Sequence, residues 1–218
     1  MALLSDANTF VPQMNEEDIE SLRKVSLLNL ESLPLPEPIS KDVIGIVNAV
    51  RRNIGVNKFL FEGAPGTGKT ETTKQITRLL ERELYIVDFE TIVDSKLGQT
   101  SKNIASLFKE INSFSKPNRV VILFDEIDAI ALNRLDTNDL REMGRATSAI
   151  LKGIDSLNDE VVLIATTNLF DVFDKALIRR FAAVIIFNNY RQDDLLDISI
   201  VLMSDILKDF KQSGKNSK

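Results

Sequence analysis

The 218-residue sequence has no cysteine and no histidine. These absences remove disulfides, thiolate nucleophiles, imidazole general bases and ordinary zinc sites. Carboxylates, lysines, arginines, hydroxyls and amides remain for chemistry. That menu suits phosphate and magnesium work, which asks for hard oxygen ligands and fixed positive charge. No apolar run reaches the ~20 residues that a membrane-spanning helix needs. No basic start followed by a long apolar stretch stands near Met1, so a secretory signal is not expected. A cytoplasmic location without a membrane partner is therefore the expectation. No internal repeat is visible. Acidic residues outnumber basic ones, 32 to 27, and the net charge of -5 disfavours a broad nucleic-acid-binding face. With 44% hydrophobic and 27% charged residues, the chain has the mix of one sizeable globular domain, with or without a short appendage.

Local patterning is richer. In the acidic first 33 residues, Ile19, Leu22 and Val25 recur at helical spacing and predict one short helix. Leu33-Pro34-Leu35-Pro36-Glu37-Pro38 follows. Proline at every second position excludes a helix and favours an extended linker. Ser40-Lys41-Asp42 then reads as the cap of a helix through Val43, Ile46, Val47 and Val50. Beyond it, short apolar runs predict strands at 58–62, 84–89, 119–124, 160–165 and 182–187. Helical periodicity fills 69–82, 102–114 and 139–155. Strands alternating with helices imply an α/β protein, a three-layer sandwich with a parallel sheet covered on both faces. Val120-Val121-Ile122-Leu123-Phe124 has no polar face to offer water and belongs at the sheet centre. Asp193–Phe210 places Leu195, Ile198, Val201, Leu202 and Ile206 on one stripe and predicts an amphipathic helix.

Residues 63–70 read GAPGTGKT, between the strand Lys58–Glu62 and the helix that starts at Lys69. At a helix start the free N–H groups point outward and the dipole is positive. Glycines let several such groups converge without side-chain clashes. Lys69 can reach the β- and γ-phosphates of a nucleotide, and the Thr70 hydroxyl can bind Mg²⁺. The match to GxxxxGK[ST] is complete. A turn of chance composition also uses Gly, Pro and Thr, but it has no need of Lys and Thr directly after the third glycine. Gly63, Ala64, Pro65, Gly66, Thr67, Gly68, Lys69, Thr70 and Glu71 are thus the expected phosphate-binding residues.

A phosphate loop needs acids to place a metal. The apolar strand ends in Asp125-Glu126-Ile127-Asp128. In a parallel sheet, ligands bind beyond the carboxyl ends of the strands, so Asp125 belongs on the same rim as the loop. It is the expected partner of Thr70 at Mg²⁺, and Glu126 is the residue expected to polarise the attacking water. At the end of the next strand stands Thr166-Thr167-Asn168. An exposed amide on this rim can hydrogen-bond the γ-phosphate or the water.

These segments resemble the AAA+ ATPase family. GAPGTGKT (63–70) is similar to its Walker A motif, VVILFDEID (120–128) to Walker B, ATTN (165–168) to sensor 1, and ALIRRFAAVIIF (176–187) to the arginine-finger segment. Order and spacing agree over roughly Lys41–Phe187. The resemblance implies a five-stranded sheet of order 5-1-4-3-2. It implies ATP and Mg²⁺ as cofactors, with Val43, Ile44 and Gly45 near adenine. It also implies that Arg179 and Arg180 act on a neighbouring subunit's nucleotide, in a homo-oligomeric ring or spiral, hexameric in form. A guanidinium there suits the physics, because its fork of donors meets the charge building on the γ-phosphate.

The resemblance divides the chain into a leader and linker (1–38), a nucleotide-binding core (39–190), the first helix of a helical lid (191–211) and a disordered tail (212–218). Two departures stand out. Lys96-Leu97 occupies the place where protein-threading relatives begin with an aromatic, which removes the grip expected on an extended chain. Only one lid helix follows the core, so the chain is a fragment, or its lid is reduced or supplied by a partner. Two functions are expected from this. One is an ATPase that hydrolyses ATP to remodel or activate a protein partner. The alternative is a regulatory binding module in which ATP occupancy switches a partner effector with slow or no turnover. A clamp-loader-like nucleic-acid partner is disfavoured by the acidic balance.

Overall fold

The computed structural model describes residues 22–25, 35–92, 99–128, 140–170, 175–188 and 190–213. The apolar runs pair into a six-stranded sheet, β1 (Leu22–Val25), β2 (Lys58–Glu62), β3 (Glu83–Asp88), β4 (Val120–Asp125), β5 (Val162–Thr167) and β6 (Ala183–Ile186), in the order β1-β3-β4-β5-β2-β6. Strands β2 to β6 are parallel to one another, and numbered among themselves they follow the expected order 5-1-4-3-2. The register is continuous across the centre: Leu123 faces Ile164, and Ile164 faces Phe59.

β4 explains why its sequence has no polar alternation. Val121 and Leu123 join one buried cluster, with Ile76 of helix α2 (Lys69–Leu79) and Ile39, Val43 and Val47 of α1 (Glu37–Arg51). Ile122 and Phe124 join the other, with Leu107 and Phe108 of α4 (Gln99–Ile111) and Ile150 and Ile154 of α5 (Leu140–Asp155). Period-two side chains between two helical layers leave no water-facing side. A short helix, α3 (Phe89–Ile92), follows β3. Helices α4 and α5 meet where Gly153 faces Phe108, and a Cβ added to Gly153 would stand 2.0 Å from the ring.

Two local expectations are corrected. Leu22–Val25 is a strand antiparallel to β3, not part of a helix. Its apolar spacing fits a short helix equally well, and the open edge of β3, with its row of N–H and C=O groups, decides the matter. Helix α1 starts at Glu37, ahead of Ser40, and Ser40 already donates its N–H to the Pro36 carbonyl at 2.8 Å. Pro38 therefore lies in the first helical turn, where its missing N–H costs nothing. The expected helix near the C-terminus is α7 (Gln192–Ser213). Among the described residues no helix is long and apolar enough to cross a membrane.

Candidate active site

β2 runs out at Glu62 and the chain turns into the glycine-rich loop. Gly63 donates its N–H to the Thr167 carbonyl at 3.2 Å, which docks the loop on β5. A Cβ at Gly63 would meet Phe187 Cβ at 2.8 Å, so only glycine lets the loop pass. Gly68 is the N-cap of α2 and is left-handed, with φ 87° and ψ 13°, a conformation glycine adopts at no steric cost. That turn presents the first-turn N–H groups of α2, which have no intrahelical acceptors.

Lys69 is 7% exposed and folds back along the loop. Its ammonium donates to the carbonyls of Gly63 (2.6 Å) and Ala64 (2.9 Å) and to Asn168 Oδ1 (2.7 Å). Burial lowers its pKa from the ordinary lysine value, while Asp125, Glu126 and Asp128 act in the opposite sense and favour the charged form. Thr70 Oγ1 lies 3.1 Å from each oxygen of the Asp125 carboxylate. Asn168 Nδ2 donates to Glu126 Oε1 at 3.2 Å. Together these groups line a cleft of about 310 Å³ with Pro65, Gly66, Thr67, Gly68, Glu71, Lys74 and Thr166. Glu71 is paired with Lys74 at 3.1 Å on the cleft wall.

A second cleft, of about 270 Å³, lies at the opposite, amino-terminal ends of the strands beside Arg51, Asn57, Arg82 and Asp159. Its arginines are committed to backbone carbonyls, Arg51 to Leu79 (2.6 Å) and Arg82 to Glu160 (2.8 Å). The cleft at the loop is the one that joins free helix N–H groups to acids.

Not every expected residue reaches that cleft. Val43 is in the core, Ile44 is 57% exposed and Gly45 faces open space, and none of the three lines it. Arg179 and Arg180 follow α6 (Lys175–Ile178) and precede β6. Because Ala183 pairs with Phe59 and Ile186 with Glu62, the arginines sit by the start of β2 and the phosphate loop by its end. One strand length, about 15 Å, separates them. Arg180 is held within its own chain, by Asp155 Oδ2 (2.8 Å) and the Ala176 carbonyl (2.6 Å). Arg179 is exposed, and among the described residues its side chain has no bonded partner. Lys96 and Leu97 lie outside the described residues.

Three residues at the site were not expected. Thr166 donates to Asp125 Oδ1 at 2.6 Å. Asn188 Oδ1 accepts the Ala64 N–H at 2.9 Å, and the Tyr190 hydroxyl donates to the Thr67 carbonyl. Thr166 stands inside the ATTN segment, but nothing in that segment distinguishes it from Thr167. Asn188 and Tyr190 are more than a hundred positions from the loop they hold, and only their placement after β6 brings them there.

The family model described as "ATPase family associated with various cellular activities (AAA)" matches residues 59–189. The chain is 36% identical over 132 residues to an uncharacterized AAA family ATPase, y4kL, of Sinorhizobium fredii, covering 61% of this chain and 39% of that protein. It is 31% identical over 175 residues to the peroxisomal ATPase PEX6 of Arabidopsis thaliana, covering 78% of this chain and 17% of that protein. It thus spans well under half the length of these curated relatives. Among solved structures, the FIGL-1 AAA domain in complex with ADP matches with a TM-score of 0.61 at 19% identity, over 80% of this chain and 60% of that one. The Escherichia coli MS115-1 HORMA:CdnC:Trip13 complex matches with a TM-score of 0.58 at 17% identity, over 78% and 74%. A family match over more than half of the chain, on a fold and motif set of this kind, means that the chain belongs to the AAA family of ATPases.

Proposed function

We propose that this chain hydrolyses ATP to ADP and phosphate with Mg²⁺, uses the cycle to remodel or activate a protein partner, and completes its active site between subunits. One observation carries the reading: Lys69, Thr70, Asp125, Glu126 and Asn168 meet at a single sheet edge through direct hydrogen bonds. The loop and first-turn N–H groups of α2 cradle the phosphates. Lys69 exchanges its carbonyl partners for β- and γ-phosphate oxygens.

Thr70 and Asp125 are the residues that would hold Mg²⁺, and they fit it. Both are hard oxygen donors, side by side at 3.1 Å. Among the described residues no group of three or more carboxylates could hold a metal unaided. Mg²⁺ characteristically takes one or two protein carboxylates and completes its shell with water and substrate phosphates. When bound, the ion offsets charge on the phosphate oxygens. Glu126 orients a water and takes its proton as the water oxygen bonds the γ-phosphorus. The bond from that phosphorus to the bridging oxygen breaks, and its electron pair leaves with ADP. Asn168 steers Glu126 and faces the γ-phosphate.

Arg179 supplies the missing positive charge in trans. It stands about a strand length from its own loop, so a neighbour's nucleotide is its natural target. Arg180 supports the same segment from within through Asp155.

The direct test compares phosphate release and ATP binding in the parent protein and in Glu126→Gln. Hydrolysis should fall by about 10²–10⁴-fold with binding retained. Unchanged turnover removes Glu126 from the reaction. If Glu126→Gln protein with ATP gives the full effect on a partner, the chain is an ATP-controlled switch and not a hydrolysis-driven machine.

A further inference from the structure

Thr166 is completely buried below the candidate site, with its hydroxyl bonded on both sides. The hydroxyl accepts the Glu126 N–H at 2.8 Å and donates to Asp125 Oδ1 at 2.6 Å. Its main-chain carbonyl accepts the Ile127 N–H at 3.1 Å. We propose that Thr166 is the positioning residue of the acid pair: its three hydrogen bonds hold residues 125–127 in the turn that aims Asp125 at Thr70 and Glu126 at Asn168. This deepens the reading of the site as a magnesium–nucleotide site and rests on it.

The geometry shows why such a holder is needed. Glu126 has φ +49°, in the left-handed region where a side chain is crowded against its own backbone. A glutamate relaxes out of that region unless its neighbours over-determine it. The Thr166 hydroxyl supplies that constraint, because its direction has a single solution. An N–H can only donate and an ionised carboxylate can only accept, so the one hydroxyl proton must face Asp125. The 2.6 Å separation is that of a strong O–H···O⁻ bond. With Oδ1 tethered, the carboxylate is held with both oxygens 3.1 Å from Thr70 Oγ1. Thr167, the next residue, cannot substitute. Strand alternation puts its side chain on the opposite face of the sheet from that of Thr166, and its hydroxyl instead accepts the Leu169 N–H at 3.0 Å.

Two variants separate the hydroxyl from the shape of the side chain. Thr166→Val is nearly isosteric and suits a strand, but it removes both side-chain bonds. Thr166→Ser keeps them. The readouts are the Mg²⁺ concentration for half-maximal binding of a fluorescent ATP analogue, the analogue's affinity in EDTA, and hydrogen exchange of the Glu126 amide without nucleotide. Thr166→Val should raise the Mg²⁺ midpoint about tenfold or more, the usual cost of losing a residue that orients a metal ligand. It should leave metal-free affinity within about twofold and speed Glu126 exchange at least about tenfold. Thr166→Ser should restore both values to near the parent's. Thr166→Ala takes the place of the valine variant if that one fails to fold. An unchanged midpoint in the valine or alanine variant, or a serine variant that shifts as far as valine, overturns the proposal and leaves the site reading standing. A parent protein with no Mg²⁺-dependent nucleotide binding overturns the site reading, and this proposal with it.

Discussion

Lys69 and Asn168 are joined by a 2.7 Å bond from the ammonium to the amide oxygen, across 99 positions of sequence. The other end of the same amide donates to Glu126. One side chain therefore couples the lysine proposed to bind phosphate to the carboxylate proposed to prepare water. An amide has a distinct donor end and acceptor end, and neither alanine nor aspartate reproduces both. Asn168→Ala should lower kcat by about 10²-fold. Affinity for a non-hydrolysable ATP analogue should stay within about threefold. Steady-state phosphate release and equilibrium binding, measured on the same preparation, check the split. An equal loss in both would assign Asn168 to ground-state binding.

The two arginines should part company on mutation. Arg179 is exposed, so Arg179→Ala should leave melting unchanged and cut turnover by about 10³-fold or more. Arg180 forks onto Asp155, an exposed partner, so the pair contributes only about 0.5–1 kcal/mol. Arg180→Ala should lower Tm by about 2–4 °C at most. Mixing Arg179→Ala subunits with Lys69→Ala subunits, each inactive alone, should restore turnover, because an intact loop on one subunit then meets an intact arginine on its neighbour. No recovery in the mixture would place the arginine's target within its own subunit.

Gly153→Ala should destabilise the protein even though alanine is the better helix former by about 1 kcal/mol. The new methyl would stand 2.0 Å from Phe108 Cδ2. That ring cannot swing aside, because it packs edge-on against Phe124, with centroids 5.6 Å apart. Overpacking of this kind costs about 1–3 kcal/mol. Urea unfolding should show the loss, and Phe108→Leu in the same chain should recover part of it. Simple addition of the two single effects would mean that the two sites do not touch.

Glu110, on α4, sets a pH trend. Burial pushes its carboxyl up to about 7 from the ordinary 4.5. Its Oε1 is buried with no hydrogen-bond partner among the described residues. Between those two pH values the folded state holds a proton that the unfolded chain releases. Its contribution to stability therefore falls as pH rises through that window and levels off above about 7. Glu110→Gln should raise Tm at pH 8, and the gain should shrink towards pH 5. A gain that is the same at both values would put the effect down to packing rather than charge.

Part of this architecture is legible from residue order because it rests on short-range rules. Five apolar residues in a row at Val120–Phe124 demand two covered faces, which makes β4 central. GAPGTGKT demands a turn into a helix, because only glycines reach those backbone angles and only a helix start presents free N–H groups. The rim shared by Lys69, Asp125 and Asn168 follows from strand polarity alone.

The remainder depends on which strands become neighbours and in what register, and no local pattern encodes that. Leu22–Val25 is extended because β3 has an open edge for it to join. Arg179 and Arg180 read alike in sequence, and Asp155, 25 positions upstream, selects Arg180. Thr166 and Thr167 also read alike, and the pleat of β5 beside β4 sends the first to Asp125 and the second to Leu169. Periodicity and backbone sterics act within a few residues and so are written along the chain. A hydrogen bond between residues forty or a hundred positions apart exists only after the sheet has set their register.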